Sequence, residues 1–200
     1  MGTTQQRAWQ RMLSGRRLDI LDPSPLDVEL SDIAHGLARV ARWNGQTRGD
    51  FPFSVAQHSV LVLEIFSALE PKATAAERLY AVLHDAPEYV MGDIISPFKA
   101  AMGGNYKLVE TRLLGAVHIR FALPAEAPVN VARRIKRADK AAAFFEATHL
   151  AGFEKEEARR WFGEPEAGAL DPAKLDQLIS PWPTREAHDH FVSAVERLAK

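Results

Sequence analysis

Residues 81–88 are Ala-Val-Leu-His-Asp-Ala-Pro-Glu. The first three continue an apolar stretch with helical periodicity that begins near Thr74, so His84-Asp85 falls at the end of a predicted helix. Burying an ionised carboxylate there is unfavourable unless a cation or a hydrogen-bond network compensates its charge. An imidazole nitrogen beside a carboxylate oxygen suits a divalent metal ion. The structural alternative is a histidine at a helix end that is capped by its own aspartate.

A second pair, His188-Asp189, stands in a different context. It lies in the sequence Glu-Ala-His-Asp-His-Phe, on a charged amphipathic helix predicted over 184–198. A metal clip through His188 and His190 is disfavoured, because residues two apart point to different sides of a helix. We therefore interpret this pair as part of a solvated polar face.

Two further polar residues occupy inward positions of predicted helices. His58 lies between Val55 and Val62, on the apolar stripe of a helix that Ser54 opens. Asp139 has Ile135 one turn before it and alanines one turn after it. The alternatives are a core histidine with satisfied hydrogen bonds and, for Asp139, a salt bridge to Lys136 or Lys140.

The apolar pattern is helical along most of the chain, and no convincing alternation of apolar and polar residues occurs. This predicts an all-α fold, a single globular bundle over 31–200, with an irregular N-terminal arm over 1–30 that packs on it. Ser31 is the predicted N-cap of a helix over 32–42, and Pro87 is expected to disturb the chain just after His84-Asp85. Further helices are predicted in these segments: 5–13 (short), 105–121, 129–152, 154–162 and 184–198.

Composition excludes several classes of site and partner. The chain has no cysteine, which rules out disulfides, thiolate zinc sites and cysteine nucleophiles. Its formal net charge of −1 argues against nucleic-acid or membrane partners, which usually require a basic surplus. The N-terminal thirty residues contain no apolar segment of signal-peptide length, so a cytoplasmic protein is expected. There is no GxxxxGK[ST] phosphate loop.

The ordered pattern His…His-Asp…Asp on three predicted helices resembles the ligand pattern of the HD superfamily of metal-dependent phosphohydrolases, from about Ile33 to Phe145. The resemblance is closest to the bacterial HD-domain 5′-deoxynucleotidases and related uncharacterised HD hydrolases. It rests on these matches: Arg42-Trp43, Gln57-His58-Ser59, His84-Asp85-Ala86-Pro87-Glu88, Gly92-Asp93, Ser96-Pro97-Phe98-Lys99 and Ala138-Asp139. It implies an HD-domain helical bundle.

By this resemblance, one divalent metal ion is held by four side chains: His58, His84, Asp85 and Asp139. Water and a substrate phosphate oxygen would complete its coordination. Nitrogen and oxygen ligands without sulfur are typical of Mn²⁺, Co²⁺, Mg²⁺, Ni²⁺ or Fe²⁺ rather than of a closed structural zinc site. The sequence leaves the choice among these metals open.

The resemblance also implies two catalytic carboxylates. Glu88 is four residues after His84, on the same face if the helix continues, where it could orient or deprotonate the attacking water. Asp93 follows Gly92 in the next loop, near the leaving oxygen, which it could protonate. The alternatives are a solvent-exposed Glu88 and an Asp93 that only forms a turn.

Substrate contacts follow from the same comparison. Arg42 matches the arginine that neutralises phosphate, a role suited to a planar guanidinium, and Trp43 matches an aromatic on the sugar side. The expected substrate-binding residues are Arg42, Trp43, Asp93, Ile94, Ile95 and Ser96. The implied activity is release of phosphate from (deoxy)nucleoside 5′-monophosphates by in-line attack of a metal-activated water. The alternatives are a phosphodiesterase and a regulatory nucleotide-binding HD domain without turnover. Relatives of this kind usually form homodimers.

The segment 44–54 departs from the deoxynucleotidase pattern. Here the chain is more similar to HD hydrolases with a Gly-Arg…Asp-Pro arm, matched by Gly15-Arg16 and Asp22-Pro23, in which a histidine often stands at the position of Gln46. This difference concerns the nucleoside pocket rather than the metal ligands. The basic run at 133–137 is interpreted as a solvated helix face, with a phosphate-attracting rim as the alternative.

Overall fold

The computed structural model describes residues 8–95, 104–166, 168 and 170–200, and these residues are predominantly helical. The predicted all-α class is confirmed. In chain order the elements are β1 (Trp9–Arg11), β2 (Arg17–Asp19), α1 (Leu30–Leu37), α2 (Val55–Leu69), α3 (Ala75–Val82), α4 (Glu88–Met91), α5 (Gly104–Arg120), α6 (Val129–His149), α7 (Lys155–Phe162), α8 (Pro172–Ile179) and α9 (Thr184–Leu198). A short 3₁₀ turn occupies Pro25–Asp27, and Arg42–Gly45 forms a tight turn in which Trp43 and Asn44 have left-handed backbones.

Helix α2 is the centre of the bundle, packed against α3, α6 and α9. Ser54 caps its N-terminus by accepting a hydrogen bond from the backbone N–H of Gln57, at 3.2 Å. The Gln57 side chain is fully buried and satisfied, since it donates to Leu178 O at the end of α8 and to Ser180 O, and accepts from the Trp182 N–H. Apolar residues surround most of α2, so a polar side chain on it needs a partner inside the protein.

Small residues let α6 approach α2 closely. Ala138 and Ala142 of α6 are completely buried, and alanine side chains hold the two helix axes at short separation. Asp139 lies between these alanines and therefore faces the level of α2 at which His58 sits. Packing of alanine against α2 thus brings together two residues that are 81 positions apart (139 − 58).

The N-terminal arm is more regular than predicted. Within its described part, the expected helix over 5–13 is wrong: Trp9–Arg11 pairs antiparallel with Arg17–Asp19, and Gly15 makes the turn at φ 89°. The strands of this hairpin have three residues each, and Leu18 is buried between exposed or half-buried neighbours. Ser14 donates its N–H and hydroxyl to Asp32, at 2.9 and 2.5 Å, which fixes the hairpin on α1.

Helix α1 is shorter than predicted and is displaced toward the N-terminus. Its N-cap is Glu29 rather than Ser31, and it ends at Leu37 instead of continuing to Arg42. The chain then turns, because Val40 and Arg42 pair in extended form with the residues before α2: Val55 N–H donates to Val40 O at 3.0 Å and Arg42 N–H to Phe53 O at 2.8 Å. These bonds close the loop 41–54 at its base and place Arg42 beside the start of α2.

His118 of α5 predicts a pH-dependent stability. It is buried, its Nδ1 bonds to Ala125 O at 2.8 Å, and its Nε2 has no hydrogen-bond partner. Burial lowers its pKa, so as pH falls below about 6.5 the unfolded chain takes up the proton first and stability is lost. We expect His118→Gln to reduce the fall in unfolding free energy between pH 7.5 and 5.5, measured by urea denaturation. His149→Gln, at an exposed imidazole, should retain the wild-type fall; equal falls in all three proteins would contradict this assignment.

Among the described residues, no helix combines the length and the apolar character that crossing a membrane requires.

Candidate metal centre

His58 lies fully buried on α2, with its two ring nitrogens in different surroundings. Its Nδ1 is 2.5 Å from Oε1 of Glu146, to which it donates a hydrogen bond. Its Nε2 faces the other way, 3.4 Å from Oδ2 of Asp85 and 3.5 Å from Oδ1 of Asp139. The imidazole is thus held from behind and presents Nε2 to two carboxylates.

His84 and Asp85 lie in a turn, not on a helix. Helix α3 ends at Val82, so the prediction that the His-Asp pair lies at the end of this helix is wrong by two residues, and the condition under which Glu88 would share its face is not met. Pro87 explains this end, because it has no N–H to donate to Leu83 O, and the Ala86 N–H takes that carbonyl at 2.9 Å. In the turn, His84 Nδ1 donates to Ala81 O at 2.9 Å, which leaves Nε2 3.2 Å from Asp85 Oδ2.

The sequence left two roles open for Asp139, a metal ligand and a salt-bridge partner of a lysine, and its two carboxylate oxygens are placed for one role each. Oδ2 accepts a hydrogen bond from Lys136 Nζ at 2.6 Å, and Oδ1 faces His58 Nε2. The salt bridge and the approach to the histidine cluster therefore coexist. Lys136 is largely exposed, whereas Asp139 is only 16% exposed in its side chain, so the carboxylate belongs to the interior of the site.

These residues fit a metal ion on three grounds. Ligand atoms of His58, His84 and Asp139 lie within 4.8 Å of one another, and Asp85 lies beside both imidazoles. The Nε2 atoms of both histidines are buried and have no hydrogen-bond partner. Finally, ligands about 2.1 Å from a common ion are separated by roughly 3.0 Å in octahedral and 3.4 Å in tetrahedral geometry. The three histidine–carboxylate separations of 3.2–3.5 Å lie close to these values, so this group could hold a metal ion.

The charges around the group also favour a cation. Among the described contacts, four carboxylates stand against two cations: Asp85, Asp93, Asp139 and Glu146 against Arg42 and Lys136. Burial and Arg42 lower the pKa of His58, but the carboxylates outweigh them and raise it well above its usual range. Burial would raise the pKa of Asp85, yet His84 and His58 hold it well below its usual value. A divalent cation would relieve this excess of negative charge.

Glu146 is a site residue that the sequence analysis missed. It is completely buried on α6, and beyond its bond to His58 it accepts from Trp43 Nε1 at 2.8 Å and from Arg42 Nε and Nη2, both at 3.2 Å. Burial would raise its pKa, but Arg42 and His58 lower it to about 2. The available signal was its position seven residues after Asp139, two helical turns along the same face, in an otherwise apolar stretch.

Arg42 and Trp43 lie beside the histidine–carboxylate group, where both donate to Glu146. Arg42 also contacts Asp93, with Nη1 3.3 Å from Oδ2, and the surrounding carboxylates raise its pKa despite burial. Trp43 has a left-handed backbone (φ 56°, ψ 28°), which is uncommon for a bulky residue and requires support from its surroundings. Its ring packs on Phe153 and Phe162, with centroids 5.5 and 5.8 Å away.

The other predicted site residues are placed as follows. Glu88 opens α4 and is buried, which is at variance with the solvent-exposed alternative, although the broken helix removes the argument from helical spacing. Asp93 does more than form a turn, because it pairs with Arg42. Ile94 is half-buried and Ile95 is 41% exposed. Ser96 lies outside the described residues.

Two other sequence features take structural roles. In the basic run, Arg134 pairs with Glu70 and Glu77, and Arg137 pairs with Glu166, so these two arginines belong to a helix face neutralised by acids rather than to a phosphate-attracting rim. Lys136 of the same run pairs instead with Asp139 of the site. The second His-Asp pair lies on α9, where the half-buried His188 contacts the exposed Asp189 through Nδ1 at 2.8 Å. Within the described part of the chain, this pair belongs to no group of three or more potential metal ligands.

Comparison with known proteins gives a family without an assigned chemistry. No family model matches the sequence. The chain is 58% identical over 161 residues to an uncharacterized protein of Rhodobacter capsulatus. The matched region covers 80% of this chain and 82% of that protein. The chain belongs to the family of that protein.

Proposed function

We propose that this protein is a metal-dependent phosphohydrolase of the HD-domain type, acting on phosphate monoesters of the (deoxy)nucleoside 5′-monophosphate class. One observation carries the proposal. Two buried imidazole nitrogens without hydrogen-bond partners converge with two carboxylates, directly beside Arg42, whose side chain is only 14% exposed. A purely structural polar cluster would leave these nitrogens unsatisfied in the protein interior, at a cost of about 1–3 kcal/mol each.

The metal would be held by His58, His84, Asp85 and Asp139. When bound, a divalent cation polarises a phosphoryl group and lowers the pKa of coordinated water. The donor set contains no sulfur, which favours an open catalytic site over a closed structural zinc site. Glu146 and Ala81 O fix the two histidine tautomers, so that both Nε2 lone pairs are directed into the same space.

Arg42 would neutralise the phosphate. Its guanidinium has five N–H donors, and the contacts to Glu146 and Asp93 use three of them, which leaves two for a substrate oxygen. Lys136, largely exposed beside Asp139, adds a second cation at the edge of the site. Two cations and a divalent metal suit the double negative charge of a terminal phosphate better than the single charge of a diester.

The two remaining carboxylates are assigned different roles. Glu88 is the proposed proton acceptor for the attacking water, since it is buried next to the turn that carries His84 and Asp85. For Asp93, the contact to Arg42 supports orientation of the guanidinium, while protonation of the leaving oxygen stays a prediction. The nucleoside part of the substrate and the homodimer rest on the resemblance alone and also stay predictions.

The test is phosphate release from a panel of deoxy and ribo nucleoside 5′-monophosphates, after chelator treatment and addition of Mn²⁺, Co²⁺ or Mg²⁺. Asp85→Asn should lower the metal-dependent rate at least about 1,000-fold, because the metal contributes several kcal/mol of transition-state stabilisation. The matched control is Asp189→Asn, the same change at the exposed aspartate of the second His-Asp pair, which should retain the wild-type rate. Absence of release from every monophosphate by metal-loaded protein would refute the monoesterase; hydrolysis of a diester panel would then identify a phosphodiesterase, and binding without turnover a regulatory domain.

A further inference from the structure

We propose that Glu146 is a positioning residue that couples the two halves of the site, the metal ligand His58 and the phosphate-binding Arg42; this inference rests on the proposed function. Its two oxygens serve different partners. Oε1 accepts from His58 Nδ1 at 2.5 Å, and Oε2 accepts from Arg42 Nε and Nη2 and from Trp43 Nε1. The side chain is completely buried, so these four N–H groups, rather than water, stabilise its carboxylate.

Only a carboxylate satisfies this arrangement. Every contact to Glu146 comes from a donor, and an ionised carboxylate accepts on both oxygens without donating. A glutamine of the same shape has one acceptor oxygen and one NH₂ group. Whichever way the amide is turned, the NH₂ group faces either the His58 N–H or the N–H groups of Arg42 and Trp43. One half of the site therefore loses its anchor.

The bond to His58 sets the direction of the metal-binding lone pair. Because Nδ1–H donates to Glu146, the lone pair of the neutral imidazole is on Nε2, the atom that faces Asp85 and Asp139. A carboxylate behind a metal-binding histidine also makes the imidazole a stronger ligand. Loss of such a partner typically lowers metal affinity 10- to 100-fold.

The bonds to Arg42 and Trp43 hold the loop 41–54 against α6. Trp43 has a left-handed backbone, so this part of the loop is not fixed by its own local preference and depends on outside contacts. Glu146 stands two turns after Asp139 on the same rigid helix. One helix thus positions a metal ligand directly and, through Glu146, both the second ligand and the phosphate-binding guanidinium.

The experiment compares Glu146→Gln with Glu64→Gln, a matched change on α2, where Glu64 pairs with Lys174 away from the site. Mn²⁺ affinity is measured by chelator competition, and inorganic phosphate affinity by calorimetry on the Mn²⁺-loaded proteins. We expect Glu146→Gln to weaken Mn²⁺ binding 10- to 100-fold and to weaken phosphate binding at saturating Mn²⁺. Glu64→Gln should leave both affinities at the wild-type values. Unchanged Mn²⁺ and phosphate affinities in folded Glu146→Gln would overturn the coupling.

A measurement on the wild-type protein keeps the proposal testable if Glu146→Gln does not fold. In the Mg²⁺-loaded protein, long-range ¹H–¹⁵N NMR should show His58 protonated at Nδ1 and not at Nε2. The opposite tautomer would refute the positioning role. Neither experiment requires turnover, so the role of Glu146 can be confirmed even in a protein that hydrolyses no monophosphate. Conversely, an active enzyme whose Mn²⁺ and phosphate affinities are unaltered in Glu146→Gln would refute the role of Glu146 and leave the proposed function intact.

Discussion

Replacement of Asp139 by asparagine should remove the divalent-cation site without unfolding the protein. Asparagine keeps the shape of the side chain, but it replaces the ionised oxygen that faces His58 Nε2 by a neutral group. Loss of an outer partner already lowers metal affinity 10- to 100-fold, so loss of a direct ligand should lower it by more than about 100-fold. Thermal unfolding with and without Mn²⁺ measures this effect. At a metal concentration 100 times the wild-type Kd, wild-type protein gains about 2.7 kcal/mol, or roughly 5–10 °C, and Asp139→Asn should gain less than about 0.4 kcal/mol.

Lys136→Gln separates the two interpretations of Asp139. If Asp139 served only the salt bridge with Lys136, removal of either partner would have the same small effect on stability and no effect on the response to metal. As a metal ligand, Asp139 is needed for the Mn²⁺-dependent increase in Tm, whereas Lys136 is not. An Mn²⁺-dependent increase that survives in Asp139→Asn would contradict the ligand assignment.

Local sequence signals predicted most helices well. The C-terminal helix was predicted over 184–198 and occupies Thr184–Leu198, and α5 is displaced by one residue at each end. Ser54 opens α2 as expected, because an N-cap and the apolar periodicity that follows it act within one turn. These features depend on neighbours three or four residues away, which the sequence displays directly.

The errors lie where distant contacts decide the local structure. The N-terminal hairpin has strands of only three residues, too short for a visible alternation, and it is fixed by Ser14 on Asp32, 18 residues later. The early end of α1 follows from pairing with the segment before α2. In both cases a tertiary contact overrides the local helical preference. Such a contact joins residues that are too far apart in sequence to fall within the short window in which periodicity is judged.

The site shows the same division. A family resemblance predicted that His58, His84, Asp85 and Asp139 form one group of ligands. The structure brings these four side chains together. Glu146 was missed because its partners His58 and Arg42 are 88 and 104 residues away in sequence. A buried carboxylate in an apolar helix face indicates some partner inside the protein, but only the packing of α6 on α2 shows which one.

Arg42→Met should be the most destabilising of the site substitutions in metal-free protein. Methionine retains much of the apolar volume of the side chain, but it removes the cation that pairs with the fully buried Glu146. Breaking a buried ion pair by removing one partner costs about 3–5 kcal/mol, because the remaining charge stays uncompensated. His58 and Trp43 still donate to Glu146, which sets the expected loss at the lower end of this range.

Arg134→Met is the matched control, since it removes an arginine that also bridges two acids, Glu70 and Glu77, but at the partly exposed surface. Arg134→Met should lower the free energy of unfolding by on the order of 1 kcal/mol, as for solvated ion pairs. Urea denaturation with excess chelator compares the two without any contribution from bound metal. Equal losses would mean that water reaches Glu146 when Arg42 is absent, and the buried carboxylate could then not act as the rigid link between His58 and the loop 41–54. A loss confined to Arg42→Met would instead show that the interior charge needs its guanidinium, so that the anion-binding residue of the proposed site is also part of what holds the fold together.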